Sequence, residues 1–203
     1  MALAAFDEAR LLTRLSALSP GGQRAFGALC CERLLPNYAA FQQETGWGDI
    51  HPLRYALDRV WLDISGRSTP STEAGALAEV CEALAPSSDD FSQLRVTSAQ
   101  DACFAICSLL DHLIDSSPEK ILQVATYATD SVDLFVQEIE DMKPRDPDLE
   151  NKILMHPLMQ RDLASQDRDI ESVERVFNSA GDAQSQLVAL RRHEQGGSLD
   201  LGS

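Results

Sequence analysis

Between Ile121 and Met142 the apolar residues fall at Ile121, Ala125, Ala128, Val132, Phe135, Ile139 and Met142, with steps of four and three alternating without a miss. A strand would bury every second residue, so this stretch is a helix with one buried stripe. The preceding stretch has a stripe of its own at Cys103, Ile106, Cys107, Leu110, Leu113 and Ile114. Only "SSPEK" separates the two, with Ser117 placed as an N-cap and Pro118 at the first helical position. Two amphipathic helices joined this tightly pack antiparallel. The first is expected to begin at Ser98, with Asp101 as the acid of a capping box.

The rest of the chain follows the helical period. Leu11, Leu12, Leu15 and Leu18 mark a short first helix, and "SPGG" starts a second with Ser19 as cap. Further helices are expected from Pro52 to Ile64, from Ala76 to Leu84, and over a last long region with the seam Met159, Leu163, Gln166, Ile170, Val173 and Phe177. That region is expected to be interrupted or kinked at Pro157. The fold class is all-α: a single multihelical domain over 1–193, with six to nine helices in antiparallel pairs. The tail from Glu194 to Ser203 reads as disordered.

Charge and cysteine usage exclude several function classes. The formal net charge is −15 and there is no basic run, which argues against nucleic acid and anionic lipid and favours a basic protein partner. No window approaches the roughly 20 apolar residues of a membrane span. "MALAAFDEARLL" lacks the basic start of a signal peptide, so a cytoplasmic location is expected. Five cysteines, at Cys30, Cys31, Cys81, Cys103 and Cys107, sit inside apolar helical patterns and read as buried free thiols. The four histidines, at positions 51, 112, 156 and 193, are scattered, and no cofactor motif is present, so no cofactor is expected.

One stretch concentrates special residues: "CERLLPNYAAFQQETGWGD", from Cys31 to Asp49. Pro36 is expected to bend or restart its helix. Gly46 suits the left-handed residue after a helix, Gly48 a second turn, and Asp49 the cap of the next helix. Caps and packing account for each residue type, giving an aromatic-plugged corner. The functional reading makes the same corner a binding surface lined by Tyr38, Trp47 and Asp49. The loop "APSSDDF" has two readings as well. Asp89, Asp90 and Phe91 form either a recognition edge or a capped turn anchored by its ring.

The stretch "LCCERLLPNYAAFQQETGWGD" resembles the signature of the YjaG family of uncharacterised bacterial proteins. "APSSDDF", "DAC" at Asp101 to Cys103 and "HPLMQRDLASQ" at His156 to Gln166 resemble that family in the same order. Paired cysteines at Cys30 and Cys31, and Trp47 in place of a familiar Phe, are the departures. The resemblance implies an all-α, single-domain bacterial cytosolic protein and carries over no activity, cofactor or catalytic residue.

Two function classes remain. The first is a non-enzymatic interaction or regulatory module. The alternative is a metal-dependent nucleotide pyrophosphohydrolase, whose carboxylates stand three or four apart on neighbouring helices. Asp111 with Asp115, Asp130 with Asp133, and Glu138 with Asp141 have that spacing, but they lie opposite the apolar seams, where carboxylates are ordinarily solvated. No metal or catalytic residue is therefore assigned. Gln166 is the polar member of an apolar seam. It either bonds backbone freed by the breaks at Pro157 or Pro36, or points into a small polar pocket.

Overall fold

Helix boundaries follow the local chemistry. The computed structural model describes residues 4–179, 181–191 and 198–199. Its helices are α1 (Glu8–Ala17), α2 (Pro20–Thr45), α3 (Ile50–Ile64), α4 (Ser71–Ala83), α5 (Val96–Asp115), α6 (Pro118–Ile139), α7 (Leu149–Met155), α8 (Pro157–Phe177) and α9 (Ala183–Leu190). Among the described residues there is no strand. Asp7 caps α1 by accepting from Arg10 N at 2.9 Å, and Ser19 caps α2 by accepting from Gly22 N at 3.3 Å. Gly46 ends α2 at φ 71°. At Pro157 the last region is interrupted, splitting into α7 and α8 with His156 between them. The expected disorder from Glu194 onward lies outside the described residues except at 198–199, as does His193.

Two expectations are corrected. α2 runs unbroken through Pro36. A proline costs an interior helix about 3 kcal/mol, but α2 is buried on most sides, packed against α3, α5, α6 and α8, and that burial holds it together. One carbonyl near the proline finds an outside donor: Ser198 N donates to Arg33 O at 3.0 Å. The second correction is at α5, which starts at Val96, so Asp101 lies inside the helix and caps nothing. Ser98 Oγ instead donates to Arg95 O at 3.0 Å.

α2 is the central post. Gly27 lets α5 and α6 approach it closely, because a Cβ there would stand 3.0 Å from Leu109 Cδ1 and 3.1 Å from Ile121 Cδ1. α5 and α6 form the expected antiparallel pair. Asp111 meets Lys120 at 3.0 Å, Ser108 meets Gln123 at 3.3 Å, and the rings of Phe104 and Tyr127 lie 5.9 Å apart. Position rises along α6 as it falls along α5, which is the signature of antiparallel packing.

The apolar interior has two parts. The larger gathers Phe26, Leu34, Leu57, Ile106, Ala125 and Ile170 among others. A smaller one holds Val132, Phe135, Val136, Ile153, Leu158, Met159, Leu163 and Leu199. α6 and α8 run through both, so each helix carries the change from one core to the other.

A buried polar bond ties α1, α2 and α5 together. Gln23 Nε2 donates to Leu15 O at 2.9 Å and Leu18 O at 3.3 Å, leaving Gln23 Oε1 to accept. His112 Nε2, 2.7 Å away, must therefore carry the proton. Burial, then the nearby Arg24, lowers the His112 pKa to about 4. The unfolded imidazole titrates near 6.5. A lowered pKa means that this contribution to stability is complete above 6.5 and drains away as pH falls toward 4. NMR titration of the His112 ring carbons should show a midpoint near 4 in the folded protein, and the folded fraction should fall over the same acid window less steeply in His112→Asn.

Candidate functional site

The corner after α2 is built from rings. Phe41, fully buried, is met edge-on by Trp47 at 6.1 Å and by Phe91 at 5.2 Å, and Trp47 and Phe91 lie 5.3 Å apart. Tyr38 stands 6.5 Å from Phe41 and its hydroxyl donates to Leu84 O at 3.2 Å. Gly48 is needed twice over: φ is 86°, and a Cβ would stand 2.4 Å from the Tyr38 hydroxyl. Two stretches distant in sequence therefore meet here, bringing Tyr38, Trp47 and Phe91 together. The carboxylates do not join them in one cluster. Asp49 caps α3 by accepting from His51 N at 2.9 Å. Asp89 and Asp90 are exposed in a turn built on Ser87.

Gln166 belongs to a buried polar layer between the two apolar cores. Its Nε2 donates to Asp162 Oδ2 at 2.8 Å, to Thr129 Oγ1 at 3.0 Å and, at 3.4 Å, to Ala125 O. These partners lie on α8 itself and on α6, well away from the breaks at Pro157 and Pro36. One helical stripe of α8 carries Asp162, Gln166 and Asp169, all buried. From α2, the buried Arg33 pairs with Asp169 and reaches Cys30 Sγ at 3.5 Å. Burial would loosen the Arg33 proton, but its acidic surroundings, the ion pair with Asp169 above all, outweigh it and hold the guanidinium charged. Burial raises the Asp162 pKa, against the pull of Arg33 and Gln166. Gln166 Oε1 and Asp162 Oδ1 have no hydrogen-bond partner among the described residues. Next to this layer, Asn37 Nδ2 donates to Ser198 Oγ at 2.9 Å and Arg161 Nη2 to Ser198 O at 2.8 Å.

A third polar feature lies on the outer side of the α5–α6 pair. Asp101, only 7% exposed, lines a hollow of about 370 Å³ together with Tyr127, Asp130, Asp133 and the exposed Leu134. Asp101 Oδ2 is buried and has no hydrogen-bond partner among the described residues. Burial, then the neighbouring Asp130, raises the Asp101 pKa to about 7. Sequence reasoning assigned this residue to a helix end and so missed it. Once α5 starts at Val96, Asp101 shares with Ser108 and Asp111 the strip that faces α6.

The candidate metal pairs are dispersed. Asp111 is bound to Lys120, Asp115 accepts from Ser117 N at 2.8 Å, and Asp141 lies against Lys143. Among the described residues no three His, Cys, Asp or Glu side chains are grouped to hold a metal ion. The five thiols are free. Burial raises the pKa of each, Cys81 and Cys107 to about 12, so none is a thiolate near neutral pH.

The family model described as "Protein of unknown function (DUF416)" matches residues 10–197. The chain belongs to this family. It is 36% identical over 121 residues to "Uncharacterized protein YjaG" of Escherichia coli (strain K12), and 33% identical over 121 residues to the protein of that name from Salmonella typhimurium. Each match takes in 55% of this chain and 61% of the relative, so the chain spans about three fifths of the curated relatives it matches. The crystal structure of a DUF416 family protein from Shewanella baltica OS155 superposes with a TM-score of 0.79 at 24% identity, covering 89% of this chain and 91% of that one. That likeness shows the shared fold. No helix among the described residues of this DUF416 chain is long and apolar enough to cross a membrane.

The polar layer predicts the behaviour of Gln166→Leu. The substitution removes the donor to Asp162 Oδ2, and a buried acceptor left unpaired costs about 1–3 kcal/mol. Asp162 has a raised pKa, so whatever stability its neutral form gives is complete at low pH and lost as pH rises. Denaturant melts should show Gln166→Leu destabilised, and more so at pH 8 than at pH 5.

Proposed function

We propose that this protein is a non-enzymatic interaction or regulatory module of the cytoplasm that docks a basic protein partner. One observation carries the reading. Among the described residues the five thiols are disarmed by burial and His112 is tied into an interior bond, whereas Asp101, a buried carboxylate whose Oδ2 lacks a hydrogen-bond partner, lines a hollow among other acids. A formal net charge of −15 supplies a field that speeds the approach of a cationic partner. Aromatic and aliphatic side chains at the same place give a partner something to grip besides charge.

The test is charge-selective binding by the purified chain. A decalysine peptide should bind, with an affinity that falls steeply between about 50 and 500 mM salt as screening shortens the range of the field, while a deca-serine peptide does not. Magnesium-dependent release of pyrophosphate from nucleoside triphosphates, lost in Asp111→Asn or Asp130→Asn, would instead establish the hydrolase alternative.

A further inference from the structure

We propose that the hollow between α5 and α6 is a receptor for a single lysine or arginine side chain presented by a basic partner protein. The proposal deepens the interaction-module reading and rests on it. Asp101 sits near the start of a long helix, on the strip that faces α6, and is 7% exposed. Its Oδ2 has no hydrogen-bond partner among the described residues. Leaving such a group unsatisfied is costly, and native structures rarely do so without a ligand, ion or water to complete it.

The surroundings specify the sign of what completes it. Asp130 and Asp133 line the same hollow from α6. Glu8, at the start of α1, adds to the field on Asp130, whose carboxyl is raised by burial first and then by Asp133 and Glu8. From α6, Tyr127 lines the hollow, and the Ser131 hydroxyl stands close enough to Asp101 to pull its pKa down, against burial and Asp130, without forming a hydrogen bond to Oδ2. Two cations stand along the α5–α6 row and both are engaged: Arg95 lies 5.4 Å over the Phe135 ring and pairs with Glu44 at 3.1 Å, and Lys120 pairs with Asp111 at 3.0 Å. Acidic groups thus converge from three helices, and what fits among them is a positive charge.

Shape and lining choose the kind of cation. The volume, about 370 Å³, is at the small end of ligand-sized clefts. Tyr127 offers a ring and Leu134 a 45%-exposed aliphatic side chain beside the carboxylates. A long side chain with an apolar stem and a charged tip matches that lining, because the stem packs on the ring and leucine while the tip meets Asp101. A hydrated metal ion would want three or more grouped oxygen or nitrogen ligands, and among the described residues no such group occurs.

The experiment uses an acetylated, amidated tetralysine peptide, with spermidine and magnesium chloride as separate arms, followed by NMR of the Asp101 carboxyl carbon and by titration calorimetry. The expected result is that tetralysine lowers the Asp101 titration midpoint and that Asp101→Asn weakens peptide binding about tenfold or more. Glu150→Gln, which removes an exposed acid on α7, should bind as the parent does. Folding of the variant is checked by melting. Asp101 has a raised pKa, so its stabilising neutral form is lost as pH rises through about 7. Asp101→Asn should therefore melt at or above the parent at pH 8. Equal tetralysine binding by the parent and Asp101→Asn would overturn the receptor site and leave the module reading standing. No binding of tetralysine or of the longer basic peptide by the parent would overturn both. Spermidine or magnesium alone shifting Asp101 as strongly as the peptide would overturn the commitment to a protein side chain.

Discussion

The ion pair between Arg33 on α2 and Asp169 on α8 is the constraint around which the interior is arranged. Both side chains are almost fully withdrawn from water, with side-chain exposures of 6% and 7%. A charge at that depth is tolerated only when it is paired and hydrogen-bonded. The pair therefore fixes how α8 lies on α2, and its neighbours follow. Asp162 and Gln166 complete the α8 stripe, Thr129 on α6 answers Gln166, and the two apolar cores close on either side.

The helices were legible in the sequence because their signals are local. The alternating steps from Ile121 to Phe135 mark a face that is buried throughout, and "SSPEK" placed the turn between α5 and α6 correctly. Gln166 stood out because it broke a seam. Its partners did not, because Asp162 and Asp169 read as ordinary solvent-facing acids until α2 supplies Arg33 from more than a hundred residues away. A sharper signal was present: Asp162, Gln166 and Asp169 are four and three apart and share one polar stripe of α8. Pro36 misled for a related reason. Its local effect is to break a helix, and only the burial of α2 among the helices packed around it overrides it.

The stretches that carry the family resemblance are the ones the fold brings together. Leu29 to Asp49 meets "APSSDDF" at the Phe41, Trp47 and Phe91 rings, and meets "HPLMQRDLASQ" at the polar layer. The "DAC" stretch supplies Asp101. The aromatic corner is closed by its own contacts, and the polar layer, although Asp162 Oδ1 and Gln166 Oε1 lack partners there, is buried between the two cores. Asp101 instead lines a hollow shared with other acids, which favours that place over the aromatic corner.

A double-mutant cycle between Arg33 and Asp169 tests the central claim most directly. Arg33→Met and Asp169→Leu should each cost about 3–5 kcal/mol in denaturant melts, since each leaves a buried charge without its partner. The double variant should be far less destabilised than the two losses combined, because removing both charges removes the penalty. Strictly additive losses would contradict the account and show that the pair does not organise the packing of α8 on α2.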